Sequence, residues 1–365
     1  MTSMDRRLIR RGGWRIAHIF PLVAALALAA VILAGCSSSS ATSTNGAYGG
    51  PSNHLHDMLA LQGVSNTVLL ASHFGIYRTD DGGKTWKQIT GNAGQPMKDL
   101  MPYKLVQSPA DPRRIYVPAI PRTTTGPADR GTPGIYVSAD TGRSWRLVTP
   151  MTAFPGGTVY SIGPGAAADE LYALAPTYTD FQPYNLYITH DSGSHWTKLP
   201  DLPTSRPTGV TADPLWPGRL LLWSGTDGLY TSDNKGQSWQ KVLGVQRGID
   251  VLTLAGKTIY AAGDAGIYAS QDDGAHFALV PMQKTFIAVA ASKGSPQDAY
   301  ALLSNAVYAT TDGGKSWHAT ASLARGPAGL TVDPSDGSVI YVGQALPLGV
   351  EVSTNGGSSW RTILP

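Results

Sequence analysis

The chain has 365 residues, 42% of them hydrophobic and only 15% charged, and its 42 glycines and 26 prolines make up about 19% against a usual share of roughly 12%. That balance excludes global disorder and a long-helix protein, while a single cysteine excludes an internal disulfide framework or a cysteine-rich zinc module. The formal charge of +3 is carried by Arg6, Arg7, Arg10, Arg11 and Arg15 near the N-terminus, so the remaining body is close to neutral and has no global field to attract nucleic acid.

The arginine-rich start leads into an apolar run, 19–33, too short for the ~20 residues of a spanning helix. A basic region, a short apolar region and small residues before a cut describe a secretory signal over 1–35. Leu33-Ala34-Gly35-Cys36 resembles the lipobox of bacterial lipoproteins. The resemblance implies that Cys36 is acylated and anchors the protein on the outer side of the cytoplasmic membrane. Multiple acyl chains suffice for stable anchoring. The paired arginines suggest twin-arginine export only weakly. Residues 36–54 open on a Ser/Thr-rich stretch with no apolar periodicity, and read as a flexible tether.

From residue 55 to 365 the chain repeats itself. Thr79-Asp80-Asp81-Gly82-Gly83-Lys84-Thr85-Trp86 returns around Trp145, Trp196, Trp239, Phe277, Trp317 and Trp360. Each copy follows a short strand such as Gly75-Ile76-Tyr77 and a further apolar run. Three copies are preceded by Asp-Pro turns at 111–112, 213–214 and 333–334. Four short strands per unit of about 40–60 residues predict an all-β, seven-bladed β-propeller. Blade 1 is expected to begin with an inner strand at 58–64, and blade 7 to end on its outer strand at 360–364. The ring then closes by face-to-face packing of blades 1 and 7, with no shared blade. The box tryptophans are expected to be buried anchors. The box aspartates are read as turn-formers whose oxygens accept local N–H bonds, without catalytic or calcium-binding roles.

The repeated pattern is identified as the Asp-box, or BNR repeat. Its family is mixed, including sialidases and other glycoside hydrolases, sortilin-type receptors, and photosystem II assembly and stability factors. As one seven-bladed lipoprotein the chain looks most like the last group and its bacterial relatives, which implies a scaffold that binds a protein at the envelope. The alternative is a carbohydrate-binding or glycoside hydrolase propeller. True sialidase chemistry is disfavoured, because Glu170 and Glu351, the only glutamates, lie in strand positions away from a nucleophile. A two-aspartate hydrolase would draw on Asp99, Asp129, Asp180, Asp227, Asp250 and Asp264.

The outer-to-inner crossovers carry a basic residue at Lys98, Arg206, Arg247, Lys284 and Arg325, which ring symmetry would gather into a positive funnel for an acidic or anionic ligand. Two long loops, 118–133 and 175–185, add Arg122, Arg130, Tyr178, Phe181 and Tyr184 as candidate binding residues. Of the histidines only His54-x-His56 has metal-like spacing, and it is weak; His195 and His276 replace a box Ser/Thr. No cofactor, metal or nucleic acid is expected. The expected partner is a protein or acidic ligand, met by a monomer held to the membrane through its lipid.

Overall fold

The structure, a computed structural model, describes residues 52–123, 126–177, 183–245, 247–282, 286–304 and 306–364. Seven antiparallel sheets follow one another along the chain. Their inner strands are Leu55–Ala60, Leu100–Pro102 with Val106–Gln107, Ser161–Pro164, Pro207–Ala212, Ile249–Ala255, Phe286–Ala291 and Pro327–Val332. Six blades have four strands in simple up-and-down order. In blade 2 the inner strand is split at Tyr103–Leu105, and both pieces pair with Ile115–Pro121.

The gradient across each blade follows from the sequence. The two middle strands of blade 1, Val68–Ser72 and Gly75–Thr79, are buried at every position because neighbouring blades cover both faces. Outer strands are short and mostly polar, as at Lys87–Gln88, Thr197–Lys198 and Gln240–Lys241. Such brief polar edges resist pairing with other chains. At the start of the third strand Gly75 has φ 135°, and a Cβ there would run into the Thr90 carbonyl.

Each box turn donates one backbone N–H to the turn joining the first two strands of its own blade. Gly82 to Asn66, Thr141 to Arg113, Ser192 to Asp169, Lys235 to Gly218, Asp273 to Lys257, Gly313 to Gln297 and Gly356 to Ser338 form the series. The boxes and first turns therefore share one face, and the crossovers share the other. Blade-to-blade cohesion comes from buried tyrosines on the second strands. Tyr116, Tyr260 and Tyr300 each donate their hydroxyl to a carbonyl of the next blade, at Ala168, Pro296 and Gly337.

Blades 1 and 7 close the ring face to face. Leu55, Met58 and Val68 pack with Tyr341, Val350 and Leu364, and the Ala60 N–H donates to Thr331 Oγ1 at 3.0 Å. Three sequence expectations need correction. The first inner strand starts at Leu55 rather than 58, because a bulge at His56 breaks its apolar alternation. Trp86 and Trp145 are buried, but Trp196, Trp239, Trp317 and Trp360 are only half-buried. The outer strands that follow them open on two exposed residues, whereas those after Trp86 and Trp145 already have a half-covered second residue. The long loops are shorter than expected, since paired strand reaches Pro121 and Pro176 and resumes at Tyr184.

Candidate functional site

The box aspartates are fully engaged in their own turns. Asp81 Oδ1 accepts from the Thr85 N–H at 2.9 Å, Asp81 Oδ2 from the Thr85 hydroxyl at 2.7 Å, and the Thr79 hydroxyl donates to Oδ1 at 2.7 Å. These donors hold the carboxyl down at about 2. Asp140 and Asp312 repeat the pattern, as do Asn234 and Asn355 with an amide. His195 and His276 place Nδ1 against Asp191 and Asp272 Oδ2 at 2.6 and 2.7 Å, in the hydroxyl's position. Among the described residues, the box carboxyl and amide oxygens are thus taken up by donors of their own turns. Glu170 is buried and joined to Lys235 and His190, and Glu351 is buried and accepts the Ala324 N–H. Neither is free to activate a nucleophile.

The opposite face is built from inner-strand starts and the hairpins between second and third strands. Five inner strands carry a bulge at the same place, so that His56, Thr208, Asp250, Ile287 and Ala328 are each the extra residue. A bulge re-aims a side chain and recurs beside functional sites. The hairpin residues that follow the second strand, His73 in blade 1 and Asp264 in blade 5, return to their crossovers by His73 N–H to His54 O and Asp264 N–H to Gly248 O. Blades 1 and 5 thus hold two imidazoles and two carboxylates in equivalent positions.

In blade 5, partial burial and the charge of Asp264 push the Asp250 carboxyl up to about 6. The folded state then holds a proton that the unfolded chain has released, so stability falls as pH rises from about 4 to about 6. Asp250→Asn should therefore raise the melting temperature at pH 7 and leave it unchanged at pH 4. Equal effects at both pH values would show that Asp250 is solvated like a surface carboxylate. Tyr160 stands in the one crossover that lacks a basic residue and pairs with Tyr184, their ring centroids 5.2 Å apart. The Asp250 charge reaches the Tyr160 hydroxyl, so these rings and the carboxylates share the mouth.

In blade 1, His54, His56 and His73 each place a ring nitrogen within 4.8 Å of the others. His56 Nδ1 faces the Pro102 carbonyl at 2.8 Å, and its Nε2 lies 2.9 Å from His54 Nε2. Burial and the neighbouring imidazoles push His56 down to about 3, while burial, His54 and Arg122 push His73 down to about 4.

The basic crossover residues sit in differing surroundings. Arg206 and Arg247 are exposed at the crossovers and Arg325 is half-buried, none with an ionic partner among the described residues. Lys98 instead pairs with Asp129, and Asp227, Asp250 and Asp264 occupy hairpins and bulges on the same face. Arg122 is spent on Asp99 and the Phe74 ring, and Arg130 donates to the Thr123 carbonyl. Lys284, Tyr178, Phe181 and Cys36 lie outside the described residues. Sequence reasoning missed Tyr160 and His73, whose only signal was their place just before an inner strand or inside a tight hairpin.

A family model for the BNR/Asp-box repeat matches residues 77–88, the third strand and box of blade 1. The chain is a seven-bladed β-propeller carrying Asp-box repeats. A curated relative, the oligoxyloglucan-reducing end-specific xyloglucanase of Emericella nidulans, is 26% identical over 209 residues, covering 46% of this chain and 24% of that protein. Among solved structures, the GH74 xyloglucanase of Xanthomonas campestris superposes with a TM-score of 0.64 at 18% identity, over 86% of this chain and 55% of that one. YCF48 from Cyanidioschyzon merolae gives 0.54 at 14% identity, over 76% of this chain and 88% of that one. The Asp-box propeller thus spans about a quarter of the curated xyloglucanase and about half of the GH74 structure. At these identities the structural likeness concerns the fold.

Proposed function

We propose that this Asp-box propeller is a lipid-anchored, extracytoplasmic binding module that docks an extended protein segment across its crossover face. The observation that carries the reading is the division between the faces. Every described box Asp and Asn, and both glutamates, are consumed by internal bonds, while Arg206, Arg247, Tyr160 and the bulged inner-strand residues stand at the mouth. Exposed arginines without ionic partners among the described residues, together with paired aromatics, suit a peptide with acidic and apolar side chains. A solved neighbour described as YCF48 bound to D1 peptide, with a TM-score of 0.50 at 12% identity, is compatible with that use of the fold. Arg206, Arg247 and Arg325 changed together to Gln should weaken capture of the native partner from solubilised membranes at least tenfold and flatten its salt dependence. Undiminished capture, with the fold intact, would remove the arginines from the account.

One observation favours a second reading, a carbohydrate-active site. Burial and the Asp264 charge raise the Asp250 carboxyl to about 6 beside the Tyr160–Tyr184 rings, and a carboxyl raised in this way suits the general acid of glycosidic cleavage. Hydrolysis of xyloglucan oligosaccharides by the full chain, abolished by Asp250→Asn, would replace the binding-module reading with this one.

A further inference from the structure

We propose that His54, His56 and His73 form a binding site for one divalent cation of the zinc type, set in the mouth face between blades 1 and 2. The ring protons make the case. A backbone carbonyl can only accept, so His56 Nδ1, 2.8 Å from the Pro102 carbonyl, carries a hydrogen and donates it. His54 Nδ1 stands in the same relation to the Ser52 carbonyl at 3.1 Å. In the neutral form each ring then presents a bare Nε2, and these two nitrogens face each other at 2.9 Å. Two lone pairs at that distance repel unless a cation lies between or beside them.

The third ring is held for the same task. His73 stacks on His54 with ring centroids 4.9 Å apart and stands edge-on to His56 at 6.2 Å. Its Nδ1 is buried and has no hydrogen-bond partner among the described residues. The backbone bond from His73 N–H to His54 O fixes the hairpin against the crossover, so the three rings converge through main-chain geometry.

The donor set selects the ion. Three imidazoles without a carboxylate suit zinc or copper and disfavour calcium and magnesium, which require oxygen. Two nitrogens each about 2.1 Å from a tetrahedral zinc lie about 3.4 Å apart, so the His54–His56 pair need open by only about half an ångström. The Nδ1–H bonds to backbone carbonyls are the outer contacts that orient ligating histidines in metal sites. The neighbouring Arg122 guanidinium is countered by Asp99, and Lys104 by Asp57, so the local field does not repel a cation strongly. Three ligands leave a fourth position, which a carboxylate or imidazole of a docked partner would complete.

The test is titration of the full chain in detergent with zinc(II) alone after removal of bound metal, read by calorimetry and thermal melting. One equivalent should bind and raise the melting temperature. His73→Gln and His56→Gln, each checked for retained fold by circular dichroism, should weaken binding at least tenfold, whereas His195→Gln on the box face should not. Magnesium should give no response. Absence of zinc binding by the unmodified chain, or equal binding by the His56 and His73 variants, overturns the site and leaves a shared proton between His54 and His56 as its explanation.

Discussion

Trp145→Ala should destabilise the propeller by about 3–5 kcal/mol, the range for losing a large buried aromatic. Trp145 is 7% exposed and packs with Leu69 and Ile115 across the contact between blades 1 and 2. Its Nε1–H donates to the Gly142 carbonyl at 3.2 Å, so the ring also locks its own box. The same change at Trp360 should cost markedly less. That ring is only half-buried, against the cluster shared by blades 6 and 7, and its Nε1–H donates to the Ala321 carbonyl at 3.0 Å. Chemical denaturation of both variants provides the check. A Trp360 loss equal to the Trp145 loss would mean that the box, and not burial, sets the energy.

Cys36→Ser should move the protein from the membrane fraction to the soluble fraction, an all-or-none change, without shifting its melting temperature. The propeller's strands begin at Leu55, well beyond Cys36, and no helix among the described residues is long and apolar enough to cross a membrane. A lipidated cysteine with two or more chains gives stable anchoring, and a serine gives none. Fractionation after carbonate washing, with signal cleavage verified by mass, reads the outcome. A cleaved serine variant that still pellets would assign membrane attachment to something other than lipid.

The fold was legible because its signal is local and repeated. The oxygen–amide pattern of Asp81 with Thr85 needs only residues four apart, and seven copies fix the period. Substitutions inside the motif were legible for the same reason, since His195 and His276 keep the contact that a hydroxyl makes elsewhere. The mouth was harder to read because it depends on register. His56 and Asp250 reach the mouth as bulged residues, and a bulge leaves no fixed mark on apolar alternation. His73 joins His54 only through the hairpin that pairs Ser72 with Gly75, and sequence spacing does not express that proximity. Topology alone puts the crossover arginines at one end of the blades. The pairing of Lys98 with Asp129 depends on loop geometry that composition does not reveal.

On the proposed function, ligand capture belongs to the crossover face and not to the box face. Ile287, a bulged mouth residue 37% exposed, and Lys315, an exposed box residue, offer matched positions for a photoreactive side chain. Crosslinking in intact membranes should yield a discrete partner adduct from position 287 and none from position 315. An adduct formed from 315 alone would contradict the account and transfer function to the face of the Asp-boxes.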